Sequence, residues 1–299
     1  MLSIGVCLTS CSGPGATDTQ TRLTYCAPGG VGQSLDLYTP IPAPTSPVAT
    51  VVYVHGGGWT SGNDQLSPFM KSIANGVIAS GMIFVSLNYR LAPRYRWPDQ
   101  IEDVKCAIRF LRQNAKRLRV DPASIGAIGD SAGAQLVEIL GLAGPSAGFD
   151  VGQYASESSS VKAVVDLYGP SDLTTPDWAG YSFLKIYAQQ EFGQQLGQPT
   201  KELATSSAIS YIRRGAPPFL IIHGVDDTIV PVSQSQDLAR RLTAAGDAAT
   251  LVLVRNAGHG LIHAGSGPTL PSLTQLRSQI VDFLSHELGQ QAIPTENGP

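Results

Sequence analysis

The stretch Gly129-Asp130-Ser131-Ala132-Gly133 decides how the rest of this chain is read. It follows a short apolar run, Ile125–Ile128, and leads into a helix-period segment, Ala132–Leu142. A serine between glycines at that junction fits a sharp strand-to-helix turn that presents its hydroxyl at a sheet edge. Far upstream the chain reads His55-Gly56-Gly57-Gly58-Trp59. A glycine run there lets backbone N–H groups face a developing negative oxygen without Cβ clashes. Either segment alone is a weak signal. Together, in this order, they point to acyl-transfer chemistry at Ser131.

Around these two segments, apolar β-branched runs alternate with helix-period segments. The runs are Ala49–Val54, Ile83–Leu87, Ile125–Ile128, Val161–Leu167, Phe219–Ile222 and Thr250–Val254. Their continuous apolar character is that of strands buried on both faces. Between them lie expected helices at Pro68–Ala79, Pro98–Leu118, Ala132–Leu142, Ser233–Ala245 and Leu273–Leu288. Two alternating runs, Thr21–Tyr25 and Gln33–Tyr38, predict an opening antiparallel pair, and the proline-rich Pro40–Pro47 a surface link. The expected architecture is α/β, a mostly parallel twisted sheet with helices on both faces. Ligands then meet the carboxyl edge of the strands, where His55–Trp59, Asp130–Ser131, His223–Asp227 and Asn256–His259 all emerge.

The composition agrees. The 299 residues are 42% hydrophobic and 14% charged, with a formal net charge of −3. Such a chain has material for a large core and no basic surplus that would suggest nucleic acid. No run approaches the ~20 apolar residues needed to span a bilayer. No cysteine or histidine spacing marks a metal site, and no glycine-rich loop has dinucleotide-binding spacing, so no cofactor is expected.

A serine nucleophile needs a base, and the base needs an acid to hold its tautomer. Downstream of Ser131 the acids following a strand are Asp226 and Asp227, and the bases are His259 and His263. His259 is favoured, because glycines on both sides suit a tight loop that aims one imidazole. His55 precedes the glycines and is read as shaping that loop. His223 is read as a satisfied core histidine, and Asp130 as pointing toward helix or loop backbone. Tyr89 and Arg90 are read as bracing the elbow or the Asp227 loop.

Five segments carry a resemblance: His55-Gly56-Gly57-Gly58-Trp59, Asn88-Tyr89-Arg90-Leu91-Ala92-Pro93, Gly129–Gly133, His223-Gly224 with Asp227 and Val230-Pro231, and Gly258-His259-Gly260. Over residues 21–287 the chain resembles the serine esterases of the α/β-hydrolases. It is similar to the hormone-sensitive-lipase-like enzymes and closer to the bacterial feruloyl-esterase-like and acetylxylan-esterase-like branch. The resemblance implies an acyl-enzyme mechanism with Ser131, Asp227 and His259 as triad, and the amides of Gly57, Gly58 and Ala132 as oxyanion hole. It implies a short-chain or carbohydrate-linked ester as substrate. One departure is that the stretch from Thr21 to His55 leaves no room for the usual N-terminal cap of the hormone-sensitive-lipase-like enzymes, so an open site is expected. Two rival readings are an arylformamidase-like amidase of the same fold and a non-catalytic surface-binding module on a hydrolase scaffold.

Three regions stand outside this frame. Residues 1–20 read as a leader and tether, in which Leu8-Thr9-Ser10-Cys11 resembles a lipobox with Cys11 as lipid anchor. The missing basic n-region leaves a plain polar tail, and so a cytoplasmic protein, as the other reading. Cys26 and Cys106 are expected as free, buried thiols. Residues 172–205 are aromatic-rich and read as a helical excursion or partial lid. Trp59, Trp178 and Tyr181 are the substrate-contacting candidates, and residues 288–299 the polar tail.

Overall fold

The computed structural model describes residues 18–289. Eight strands form one sheet: β1 (Asp18–Cys26), β2 (Gln33–Pro40), β3 (Val48–Val54), β4 (Ile83–Leu87), β5 (Val120–Asp130), β6 (Val164–Leu167), β7 (Phe219–Gly224) and β8 (Ala249–Val254). Their order is β1-β2-β4-β3-β5-β6-β7-β8. β2 pairs antiparallel with both β1 and β4, and every other neighbour is parallel. The helices are α1 (Pro68–Ala79), α2 (Asp99–Gln113), α3 (Ala115–Leu118), α4 (Ala132–Leu142), α5 (Phe183–Phe192), α6 (Lys201–Thr205), α7 (Ser233–Ala245) and α8 (Leu273–Glu287).

Strand alternation divides the core in two. Val52, Val54, Val85 and Ile221 face α2, α4 and α7, packing with Val104, Leu136 and Leu238. Val51, Tyr53, Phe84 and Ile222 face α1 and α8, packing with Ile73, Val77, Leu276 and Ile280. Both faces of the central strands are therefore dry, which is why those strands read as unbroken apolar runs. Local signals set the helix ends. Ser67 caps α1 through the Met70 amide, with Pro68 as first helical residue, and Ser272 and Gln275 form a reciprocal capping box on α8.

The structure departs from the sequence expectations in three places. β1 begins at Asp18, so its pairing with Pro40 takes up the end of the expected tether. The helix expected over Pro98–Leu118 is two helices broken at Asn114, whose side-chain amide donates to the Phe110 carbonyl. Finally, Cys26 and Cys106 are not free thiols; they form a disulfide. The last residue of β1 lies against α2, with the two Cα atoms 6.4 Å apart, a proximity hidden by 80 residues of separation. Cys11 and the tail from residue 290 lie outside the described residues. Among the described residues, no helix is long and apolar enough to cross a membrane.

A bridge closing so long a loop restricts the unfolded chain and contributes about 4 kcal/mol on the chain-entropy view. The double replacement Cys26→Ser/Cys106→Ser should therefore lower unfolding free energy by about 3–4 kcal/mol. Urea denaturation of the variant, and of the native chain with and without reductant, measures this. Unchanged midpoints would show that the bridge contributes nothing.

Candidate active site

Parallel register does most of the assembly. Val54 of β3 pairs with Gly129 of β5, so the loop after His55 and the turn at Ser131 leave the sheet side by side. β6 ends at Leu167 beside Asp130, and β8 at Val254 beside Gly224 of β7. The loops after β7 and β8 then carry Asp227 and His259 to the same edge.

Ser131 occupies the left-handed region with φ 52°, a strained conformation for a residue with a side chain. The strain is held in place by close backbone approach. A Cβ on Gly133 would stand 2.1 Å from the Val54 carbonyl oxygen, and one on Gly129 would stand 2.3 Å from that of Gly133. Any side chain at either position would push the helix off the strand. The Ser131 amide donates to the Leu167 carbonyl at 2.9 Å, which pins the turn to β6.

The structure brings Ser131, His259 and Asp227 together. His259 Nε2 lies 3.0 Å from Ser131 Oγ, and its Nδ1 lies 2.8 Å from Asp227 Oδ2. Asp227 Oδ1 accepts the amides of Ile229 and Val230, at 2.7 and 2.9 Å, so its carboxylate is fixed from the backbone side. Burial works to raise the Asp227 pKa. Hydrogen bonds from His223, His259 and the Val230 amide outweigh burial and hold the group well below the usual carboxylate range. Tyr168 packs edge-on against His259, with ring centres 4.8 Å apart. Asp226 and His263 are both exposed and outside this set.

The glycine loop is built for its neighbours. Gly57 has φ 110°, and its carbonyl is turned away to accept from Ser61 N and Oγ, at 3.1 and 3.0 Å. The amides of Gly57 and Gly58 donate to no acceptor among the described residues. Asp130 points to the loop backbone, where Oδ1 accepts the Gly56 amide at 3.0 Å and the Tyr53 hydroxyl at 2.6 Å. His55 Nδ1 donates to the Gly56 carbonyl at 2.7 Å, and its ring stacks on Tyr89. Tyr89 donates to the His55 carbonyl, while Arg90 pairs with Asp99 and Asp103. These two residues brace the glycine loop and α2, rather than the elbow or the Asp227 loop as expected.

A cavity of about 340 Å3 opens above Ser131, lined by Gly57, Gly58, Tyr168, Ile229 and His259 together with Phe183, Leu184 and Tyr187 of α5. Residues 172–205 thus wall the site, but through other side chains than those expected. The Trp59 indole is wholly buried beneath the loop, donating to Gln135 Oε1 at 3.1 Å and packing on Phe192. Trp178 is equally buried and donates to the Asp172 carbonyl. Tyr181 packs on the core beside Trp178. None of the three lines the cavity. A large aromatic with one polar atom buries readily once that atom is partnered, and sequence alone gives no way to see the partner. The signal that finds the wall is periodic: Tyr187 lies one turn beyond the adjacent pair Phe183 and Leu184 on one helix. Tyr187 sits over the glycine loop so closely that a Cβ on Gly58 would meet its Cγ at 2.8 Å. Among the described residues, no group of three His, Cys, Asp or Glu side chains is arranged to hold a metal ion.

The BD-FAE family model matches residues 35–242, and the chain belongs to that family, with the α/β-hydrolase fold. Esterase LipC of Mycobacterium tuberculosis is 32% identical over 256 residues, 83% of this chain and 62% of LipC. The chain thus spans less than two thirds of the length of that relative. Among solved structures, a truncated carbohydrate esterase from gut microbiota superposes with TM-score 0.73 at 26% identity, covering 93% of this chain and all of that one. Thermogutta terrifontis esterase 2 phosphorylated by paraoxon also superposes with TM-score 0.73, at 25% identity, covering 92% of this chain and 96% of that one.

One buried acid anchors the wall from beneath. Glu191 of α5 accepts from Gln100 Nε2 at 2.9 Å, and its other oxygen has no partner among the described residues. Burial, reinforced by the charge of Asp99, pushes its carboxyl up to about 9. The folded protein therefore keeps a proton that the unfolded chain has released. Stability from this group is complete below the ordinary carboxylate pKa and is lost as pH rises toward 9. Glu191→Gln should remove that dependence. The stability gap between variant and native chain should widen in the variant's favour by roughly 1 kcal/mol per pH unit. Urea denaturation at weakly acidic and weakly alkaline pH measures it, and a gap independent of pH would refute the assignment.

Proposed function

We propose that this chain is a serine carboxylic-ester hydrolase that works through an acyl-enzyme on short-chain or carbohydrate-linked esters. The observation that carries the reading is the continuous hydrogen-bonded line from Ser131 Oγ through His259 to Asp227 Oδ2, at the floor of a cavity beside undonated glycine amides. His259 Nε2 takes the proton as Ser131 Oγ attacks the ester carbonyl. Asp227 keeps the other imidazole proton on Nδ1 and offsets the charge of the imidazolium. The amides of Gly57, Gly58 and Ala132 receive the oxyanion, where one such donor is worth about 3 kcal/mol in other hydrolases. Collapse of the tetrahedral species returns the proton from His259 to the leaving alcohol. Water then repeats the sequence on the acyl-enzyme.

The wall sets the substrate size. Phe183 and Tyr187 pack on each other, with ring centres 5.3 Å apart, and close the cavity on the side of the glycine loop. The volume suits a short acyl group with the alcohol directed outward, where Phe183 is more than half exposed. A sugar hydroxyl fits that direction. The solved carbohydrate esterase supports the same substrate class by fold.

Ser131→Ala should lower kcat on p-nitrophenyl acetate by about 10,000-fold or more with KM little changed. Paraoxon should add its phosphoryl group to the native chain at Ser131, seen by peptide mass mapping. Retained activity in the variant, or labelling elsewhere, would sink the assignment. Tyr187→Ala should shift kcat/KM from acetyl toward longer acyl esters by about ten-fold, since each added methylene gains about 1 kcal/mol of pocket contact. A p-nitrophenyl ester series measures the shift.

A further inference from the structure

Asp227 is touched by two histidines. His223, the penultimate residue of β7, is wholly buried, and its Nε2 lies 3.3 Å from Asp227 Oδ2 and 3.2 Å from the Val230 carbonyl. Both neighbours only accept, so Nε2 carries a hydrogen. On the far side of the ring, Nδ1 lies 2.7 Å from Ser235 Oγ, at the start of α7. A hydroxyl donates as readily as it accepts, so Nδ1 takes the Ser235 hydrogen and the neutral ring is satisfied at both nitrogens. The result is one line, Ser131–His259–Asp227–His223–Ser235, with a serine-histidine couple on each side of one carboxylate.

The two oxygens of Asp227 have different duties. Oδ1 is held by the Ile229 and Val230 amides, which suffice to place the carboxylate. Oδ2 faces His259 and is the one His223 shares. The His223 N–H, divided between that oxygen and the Val230 carbonyl, draws charge away from Oδ2, so the attraction between Asp227 and a protonated His259 is weakened. We propose that His223 is a positioning residue which, through Asp227 Oδ2, limits how far the carboxylate stabilises protonated His259 and so keeps that imidazole able to act as base. The proposal rests on the esterase reading above. The ionisable groups facing His223 are Asp227 from the loop after β7 and Asp166 from β6, with Glu138 of α4 behind Asp166. His259 lies across Asp227. Asp166 makes no hydrogen bond to His223; it accepts the Gly169 amide at 2.8 Å and acts on the ring through space.

The experiment is the pH profile of kcat/KM on p-nitrophenyl acetate for the native chain, His223→Met and His223→Gln. Methionine fills the space without an N–H, whereas the glutamine amide can donate to the carboxylate. The acid limb of His223→Met should move to higher pH by about half a unit, which lowers kcat/KM about three-fold on that limb. His223→Gln should return the limb toward the native position. A purely structural role would lower the whole curve and leave the limb in place, and that result overturns the proposal. If His223→Met does not fold, His223→Leu serves instead. Leucine also lacks the N–H that faces Oδ2 and should move the limb in the same direction, so an unmoved limb there also overturns the proposal. A native chain inert toward every ester and unlabelled by paraoxon would instead overturn the esterase reading itself. Native activity with an unmoved limb in the variants would leave that reading standing and reject only the role of His223.

Discussion

The approach of helix α4 to strand β3 is the contact on which the remaining site geometry depends. Gly133 sits where a methyl group would stand within 2.5 Å of both the Val54 and His55 carbonyl oxygens. That contact lets the chain turn from β5 into α4 with Ser131 at its apex in a left-handed conformation. It also brings the elbow against the first residue of the glycine loop, where Asp130 bonds the Gly56 amide and locks the two turns together. Ser131 and the Gly57 and Gly58 amides are then set relative to each other by backbone and one carboxylate. No flexible side chain intervenes, which is what preorganised stabilisation of developing charge demands.

The buried polar groups around the site form a second layer of constraint. Tyr53, Asp130, His55 and Tyr89 tie the glycine loop to the sheet. Gln135 of α4 holds the loop from below through the Trp59 indole and reaches the Ser206 carbonyl with its amide. On the acid side, Asp227 is fixed by two amides and two imidazoles. Behind it Glu138 and Asp166 lie buried together, and burial with their mutual repulsion keeps a proton on Glu138. Such groups cost free energy to bury, most of all at the two Glu138 carboxyl oxygens and Asp166 Oδ2, which have no hydrogen-bond partner among the described residues. Their concentration beneath one sheet edge is the mark of a site that accepts lower stability in exchange for fixed geometry.

Much of this was legible in the residues. Apolar runs and helix periods located seven of the eight strands to within a few residues and placed α1, α4 and α7 at their observed bounds. Those signals are local. Asp227 was singled out by resemblance, and His259 by its flanking glycines; the structure sets both beside Ser131. The failures share one cause. Trp59 next to the glycine loop looked like a substrate contact, but the left-handed turn at its own φ of 61° sends its indole inward to Gln135, a partner on another element. Cys26 and Cys106 looked independent because nothing local records that β1 ends against α2. His223 is the satisfied core histidine that the sequence suggests, buried with both ring nitrogens partnered, but the bend that folds Asp227 back onto it does not show in the spacing.

The sequence by itself determined the order of strands and helices, the strand-to-helix turn at Ser131 and the glycine run opposite it. Periodicity and backbone freedom are properties of neighbouring residues, so they can be read there. Only the tertiary structure decided which aromatics face the cavity, which cysteines meet, and that two histidines share one oxygen of Asp227. Each of these depends on parallel register and helix docking, which bring together residues far apart in the chain and choose among side chains that local chemistry leaves equivalent.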